Sequence, residues 1–518
     1  MALICGLLGS LSLSGGPPSF VLSRSARYRG GTPTTTRAAA AADGGSEEKW
    51  FANQTLDHST NNQRRAASVW RQRYFEDLSL WRGPGSPVFL EMGGEGPAGG
   101  APGGLQRQLA KQHGAALLTL EHRFYGASWP HPDMSAAHLR DLSSEQALGD
   151  AAQFIQWWEE QHEGALGRTA WLAWGGSYSG QLAAWLRLRY PSSVLGAVAF
   201  SAPVHAQLDF YQYNQVATAA VAALGGQACT SLLEAAFAAA VAQLGEGGAA
   251  RRRAAATLQA CDPVLGDDDA STLQGSVQGA IQSLVQYNQA GGKRGIGAFC
   301  GIGANASAAG AAPLEALGKM LDFAEGGRCL VSNFTALMAP LRDTNFTTGT
   351  PTSRQWYYQL CNEFGQQTCE PGATDCAAGV APLPKPSMFA PFALPGDLAG
   401  GLALCADLYN ITATPPAHWS GHQRGWVNVA HGGTHLSVPN VVFVNGRKDP
   451  YSSVSLLPEQ LSAAQAHIGM QSVAVVNGSH CVGMDAAGPS DSPELAVAKA
   501  TVAKAVAAWL DARNGAAV

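Results

Sequence analysis

Thr169-Ala-Trp-Leu-Ala-Trp-Gly-Gly-Ser-Tyr-Ser-Gly180 runs directly into Gln181-Leu-Ala-Ala-Trp-Leu-Arg-Leu-Arg189. The first part is apolar and rich in large residues, which reads as a buried strand. In the second, Leu182, Trp185, Leu186 and Leu188 follow a helical pattern. Two glycines and a serine stand between them, too few for an ordinary loop. A reversal this sharp drives its apex residue towards an unusual backbone conformation and needs small neighbours. Ser177 is that apex.

The pattern approximates G-x-S-x-G, the nucleophile elbow of α/β-hydrolases, with Ser179 in place of the second glycine. Taken alone it has a plainer alternative, a Gly-rich turn that packs a helix on a strand. In this fold the partners follow in the order serine, acid, histidine. Pro439-Asn-Val-Val-Phe-Val444 is a β-branched apolar run that empties into Asn445-Gly-Arg-Lys-Asp449-Pro450. Ser472-Val-Ala-Val-Val476 is another, and it empties into Asn477-Gly-Ser-His480-Cys481. Singly, Asp449 is a turn-forming Asp-Pro and His480 a polar loop residue. Together, three polar groups just past the carboxyl ends of strands, in the right order, point to a catalytic triad.

A serine hydroxyl is a poor nucleophile until a base takes its proton. His480 titrates near working pH and suits that role, and Asp449 would fix its tautomer. The oxyanion needs preorganised donors. One is expected from the backbone N–H of Tyr178. The other is expected from the loop after Val88-Phe-Leu-Glu-Met92, at Gly94 or Glu95 within Gly93-Gly-Glu-Gly96. His431-Gly-Gly-Thr-His435 imitates an oxyanion string but lies on the wrong connection, and its paired glycines disfavour a metal-binding helix. No metal and no cofactor is expected.

Further stretches bear on family. They are Trp50-Phe-Ala-Asn-Gln-Thr-Leu-Asp-His58, Gln72-Arg-Tyr-Phe75, Gly93-Gly-Glu-Gly-Pro97, Glu121-His-Arg-Phe-Tyr-Gly126, Gln146-Ala-Leu148 and Ser201-Ala-Pro-Val204. With the elbow, Asn445–Pro450 and Ser479-His-Cys481, they resemble the serine peptidase family of prolyl carboxypeptidase, dipeptidyl peptidase II and thymus-specific serine protease, most closely the last. The resemblance implies a serine exopeptidase acting on peptides, with cleavage after proline, either from the carboxyl end or as an amino-terminal dipeptide. Tyr451 replaces a usual Trp, Phe200 a common serine and Gly483 a common Asp, which bears on subsite preference. An esterase or lipase, or a non-catalytic binding relative, would share the fold.

The chain has 518 residues, 46% of them hydrophobic, and a net charge of −5. It can bury a large core, and it offers no basic patch for nucleic acid beyond Arg251-Arg-Arg253. No uninterrupted run of 18 apolar residues appears, so no membrane span is expected. A homodimer is left open. Strands near 88–92, 115–121, 169–174, 194–200, 440–444 and 472–476 alternate with helices near 104–113, 143–163 and 178–190, as in a mostly parallel sheet. Residues 46–210 and 426–518 read as the catalytic domain, and 211–425 as a helical cap insertion.

Eight cysteines fall in that insertion: Cys229, Cys261, Cys300, Cys329, Cys361, Cys369, Cys376 and Cys405. They read as up to four disulfides of open connectivity. Sequons stand at Asn53, Asn305, Asn333, Asn345, Asn410 and Asn477. With the cysteines they favour the secretory route, extracellular, vacuolar or lysosomal. Residues 1 to 45 read as a leader outside the fold, a signal peptide or, alternatively, a plastid or other organellar transit peptide. Among candidate terminus-binding charges, Glu363, Asp407 and Arg354 read as solvated surface residues. The aromatics Phe210, Tyr211, Tyr213, Trp356, Tyr357, Tyr358 and Trp426 read mostly as packing.

Overall fold

A computed structural model describes residues 7–8, 20–21, 45–59, 68–162, 169–288, 295–346, 352–371, 384–392, 397–411 and 426–516. The expected leader falls almost wholly outside these residues, and Cys376 lies outside them too. Eight described strands form one sheet. They are β1 Glu47–Thr55, β2 Val69–Asp77, β3 Val88–Met92, β4 Ala116–Leu120, β5 Trp171–Gly176, β6 Gly196–Phe200, β7 Val441–Gly446 and β8 Gln471–Val475. Their order is β1-β2-β4-β3-β5-β6-β7-β8. Only β2 runs against the rest. This is the α/β-hydrolase sheet.

Six strands lie within two residues of their expected places. The pair β1–β2 was not anticipated, because Glu47-Glu-Lys-Trp-Phe-Ala-Asn-Gln-Thr55 carries mixed charge and no apolar run. Its position at the sheet edge explains that composition, since an exposed edge is better charged than apolar.

Both faces of the parallel strands are covered, which is why they read as continuous apolar runs. Phe89, Leu117, Leu172, Val198 and Val442 point to one face, beneath helices α1 Gly104–His113 and, later in the chain, Pro493–Ala516. Val88, Leu90, Leu118, Trp171 and Ala173 point to the other, beneath α2 Ser144–His162 and α3 Tyr178–Arg189. Fully burying each such large side chain contributes about 1.5–3 kcal/mol.

Between residues 212 and 409 the described chain is mainly helical. It includes α4 Asp267–Gln286 and α5 Ser353–Gln359, the latter continuing as a π turn over Leu360–Phe364. A second apolar core forms here around Leu233, Phe237, Leu273, Phe299 and Met320. Three disulfides tie the region: Cys229–Cys300, Cys261–Cys329 and Cys361–Cys405. Cys369 is also disulfide-bonded. The helix Gln227–Glu246 is long and apolar enough to cross a membrane by length and composition. Its Leu233, Ala236, Phe237, Ala240 and Leu244 are fully buried in the second core, so it serves as a packing helix.

Candidate active site

Strand β5 turns into α3 at Ser177, whose φ of 60° and ψ of −131° lie outside the usual regions for a side-chain-bearing residue. Such strain persists only where the surroundings dictate it. Here Ser177 N–H donates to Phe200 O at 2.8 Å, and Gln181 N–H donates to Ser177 O at 3.0 Å. Gly175 is required by close approach, because a Cβ there would lie 2.3 Å from Ser179 backbone atoms. Ser179, the departure from the usual elbow, has ordinary helical geometry, so glycine is not needed there. Its Oγ accepts the Gly176 N–H at 3.1 Å.

Asp449 begins a 3₁₀ turn after β7, and its Oδ1 accepts the Tyr451 N–H at 2.9 Å. Its Oδ2 lies 2.7 Å from His480 Nδ1, in the loop after β8. A carboxylate can only accept, so Nδ1 carries the proton and Nε2 is left as the basic nitrogen. That Nε2 is buried and makes no hydrogen bond, Ser177 Oγ included. Burial presses the imidazole pKa downward, but the Asp449 carboxylate and the Cys481 sulfur outweigh it and hold the group well above its ordinary value. The ring lies between Tyr451 and Tyr287, at 5.3 and 5.8 Å between centroids. The helical region fixes this loop: His480 N–H donates to Gln286 O at 2.8 Å, and Ser479 Oγ donates to Asn288 O at 2.6 Å.

The loop and the elbow meet through Cys481. A Cβ on Gly176 would lie 3.0 Å from its Sγ. Two departures from the family pattern also meet. A Cβ on Gly483 would come 3.3 Å from the Phe200 ring, so the larger side chain occupies the space beside the smaller.

Tyr178 carries a network that the sequence did not announce. His122 Nδ1 lies 2.7 Å from Arg123 O and must donate to that carbonyl. Nε2 therefore accepts from Tyr178 O–H at 2.9 Å. The phenol oxygen accepts from Gln359 Nε2 at 2.9 Å, and Gln359 Oε1 accepts from Tyr125 O–H at 2.6 Å. Burial presses the His122 pKa down to about 4, which keeps the ring neutral and able to accept. The backbone N–H of Tyr178 opens α3 and has no acceptor within the helix.

Glu363 and Arg354 are not surface charges. Arg354 is 4% exposed and donates to the carbonyls of Met134, Leu341 and Leu408. Glu363 is fully buried and accepts from Ser144 N–H at 3.0 Å and Ser144 Oγ at 2.8 Å. Asp407 is exposed and faces Arg342 at 3.5 Å. Phe210, Tyr213, Trp356, Tyr357 and Tyr358 are packed, as expected. His431 stacks on Trp185 at 4.2 Å between centroids.

Burial pushes Glu363 up to about 7, against its hydrogen bonds to Ser144 and Gln359. The fold then holds the protonated acid, so this stabilisation is complete below the ordinary 4.5 and is lost as pH rises through 7. The expected result is that Glu363→Gln gains on the native protein by up to about 3 kcal/mol between pH 4.5 and pH 8. Urea unfolding at the two pH values checks this, and a pH-independent difference contradicts it.

Gly94 meets the elbow from the opposite side, where an added Cβ would contact Ser179 Cβ at 3.5 Å. Glu95 beside it is 6% exposed. Burial pushes its carboxyl up to about 7, while its own amide and the charge of His480 pull it back.

A strained serine on an α/β-hydrolase sheet, with an Asp–His pair on the same rim, is the frame of a serine hydrolase. The profile of the family described as serine carboxypeptidase S28 matches residues 54–502, and the chain belongs to that family of serine-type peptidases. It is similar to thymus-specific serine protease of Homo sapiens, with 33% identity over 88% of this chain and 85% of that protein. It is also similar to lysosomal Pro-X carboxypeptidase of Mus musculus, with 27% identity over 77% and 79%. Among solved structures, proline iminopeptidase of Mycobacterium smegmatis aligns over 85% of this chain and 97% of that one, with TM-score 0.34 and 13% identity.

Proposed function

We propose that the chain is an exopeptidase that cleaves peptides after proline through an acyl-enzyme on Ser177. His480 removes the serine proton at Nε2 and returns it to the leaving amine, and Asp449 holds the tautomer that makes this possible. The Tyr178 N–H supplies one oxyanion donor. The second donor is assigned to the Gly93–Gly96 loop, at Gly94 or Glu95, where Gly94 meets the elbow at Ser179. The observation that carries this reading is the Asp449–His480 bond, which leaves a buried, unbonded Nε2 on the rim that also holds the strained serine. Hydrogen bonds at such sites often tighten only when substrate is bound.

In this reading the helical region from 211 to 425 is a cap that restricts entry to peptide ends. Proline preference is supported by the similarity to the Pro-X carboxypeptidase, and a lysosomal or other secretory location by that lysosomal relative and by the disulfides. Asn53, Asn305, Asn345, Asn410 and Asn477 are exposed and suited to glycosylation, whereas Asn333 is partly buried and caps a helix. Digestion of a peptide library by the purified protein, read by mass spectrometry, tests the specificity. Trimming at one terminus next to proline is expected; internal cleavage without regard to proline would contradict it.

A further inference from the structure

An exopeptidase must hold the charge at one end of its substrate, and the loop beside the elbow offers one group to do so. Most buried carboxylates among the described residues are engaged by another described residue. Asp150 faces Arg123 and His58, Glu121 faces Arg73, Glu370 faces Asn214 and Ser387, and Glu363 and Asp449 are bonded as above. Two strongly desolvated carboxylates meet no donor from another described residue: Glu91, near the end of strand β3, which burial alone pushes up to about 8, and Glu95. Glu95 alone stands on the Gly93–Gly96 loop that contacts the elbow, and its carboxylate and His480 act on each other electrostatically.

A desolvated carboxylate without a partner is costly, and a bound cation relieves that cost. The converse site, a receptor for a substrate carboxylate, finds no free buried cation. Arg123, Arg187, Arg354 and Lys499 are the buried arginines and lysine of the described residues, and all are bonded to carbonyls or carboxylates. We infer that Glu95 is the receptor for the amino-terminal ammonium of the substrate, so that the enzyme trims peptides from the amino end. This rests on the serine-peptidase reading above. The ammonium would donate hydrogen bonds to a carboxylate that no other described residue engages, a charge-assisted contact. Where Glu95 is protonated, its proton leaves as the ammonium binds.

The test uses one proline-containing peptide in four forms: free at both ends, amino-acetylated, carboxyl-amidated, and blocked at both. The native enzyme should favour the forms with a free amine by tenfold or more in kcat/KM and be little affected by amidation. Glu95→Gln should abolish the amine preference mainly through KM. Glu95→Asp should keep the preference with a raised KM. The inference is overturned if the native enzyme depends on the free carboxylate, or if Glu95→Gln retains the amine preference. A Glu95→Gln loss equal for all four forms also overturns it, since Glu95 would then serve His480 rather than the substrate. Labelling by a fluorophosphonate separates the two readings. A native enzyme that takes up no label and cleaves none of the peptides defeats the parent reading, not the terminus assignment.

Discussion

Ser177→Ala is expected to lower kcat by about 10⁵- to 10⁶-fold while KM and the unfolding midpoint stay near native, in line with loss of a serine nucleophile elsewhere. The large kinetic effect follows from the proposed role of Ser177 as the nucleophile that forms the acyl-enzyme. The small structural effect follows from the local bonding. Backbone hydrogen bonds to Phe200 O and from Gln181 N–H hold the apex, and the side-chain oxygen has no part in them. Alanine tolerates the positive φ no better and no worse than serine, so the strain is unchanged. Steady-state kinetics with thermal unfolding check both halves. Native-like turnover would reassign the nucleophile, with Ser179 the neighbouring candidate, although its Oγ already accepts the Gly176 N–H.

Asp449→Asn is expected to cost about 10⁴-fold in kcat, the loss typical of forcing the wrong histidine tautomer. The two oxygens of Asp449 accept from different donors, Tyr451 N–H and His480 Nδ1–H. An asparagine has only one acceptor oxygen. If that oxygen keeps Tyr451 N–H, the amide NH₂ faces Nδ1, which must give up its proton and accept. The proton then sits on Nε2, where a base is required. The imidazole also loses the carboxylate that holds its pKa above the ordinary value. A variant retaining more than about a tenth of native kcat would place Asp449 outside the chemistry.

The central strands were legible because both of their faces are buried, and continuous apolar runs are the mark of such strands. The elbow, Asp449 and His480 were legible because each follows one of those runs. What escaped the sequence depends on partners distant in the chain. The charge of Glu363 reads as solvated until Ser144, from α2, is found hydrogen-bonded to it. Arg354 looks like a surface cation, yet three carbonyls from three separate segments satisfy it. The role of His122 in anchoring Tyr178 needs a tautomer fixed by Arg123 O, and no spacing rule records that. Cysteine pairing was open for the same reason: the separations of 71, 68 and 44 residues follow from helix packing and not from motif. The Phe200–Gly483 exchange is visible only once both are seen to share one volume.

The most direct measurement is covalent labelling with a fluorophosphonate, followed by peptide mapping of the adduct. The reagent reports which hydroxyl is activated by a neighbouring base, independently of substrate choice. A single stoichiometric adduct on Ser177, lost in His480→Ala, is the result this account requires. An adduct on Ser179 or any other residue, or labelling of Ser177 that persists unchanged without His480, would contradict it.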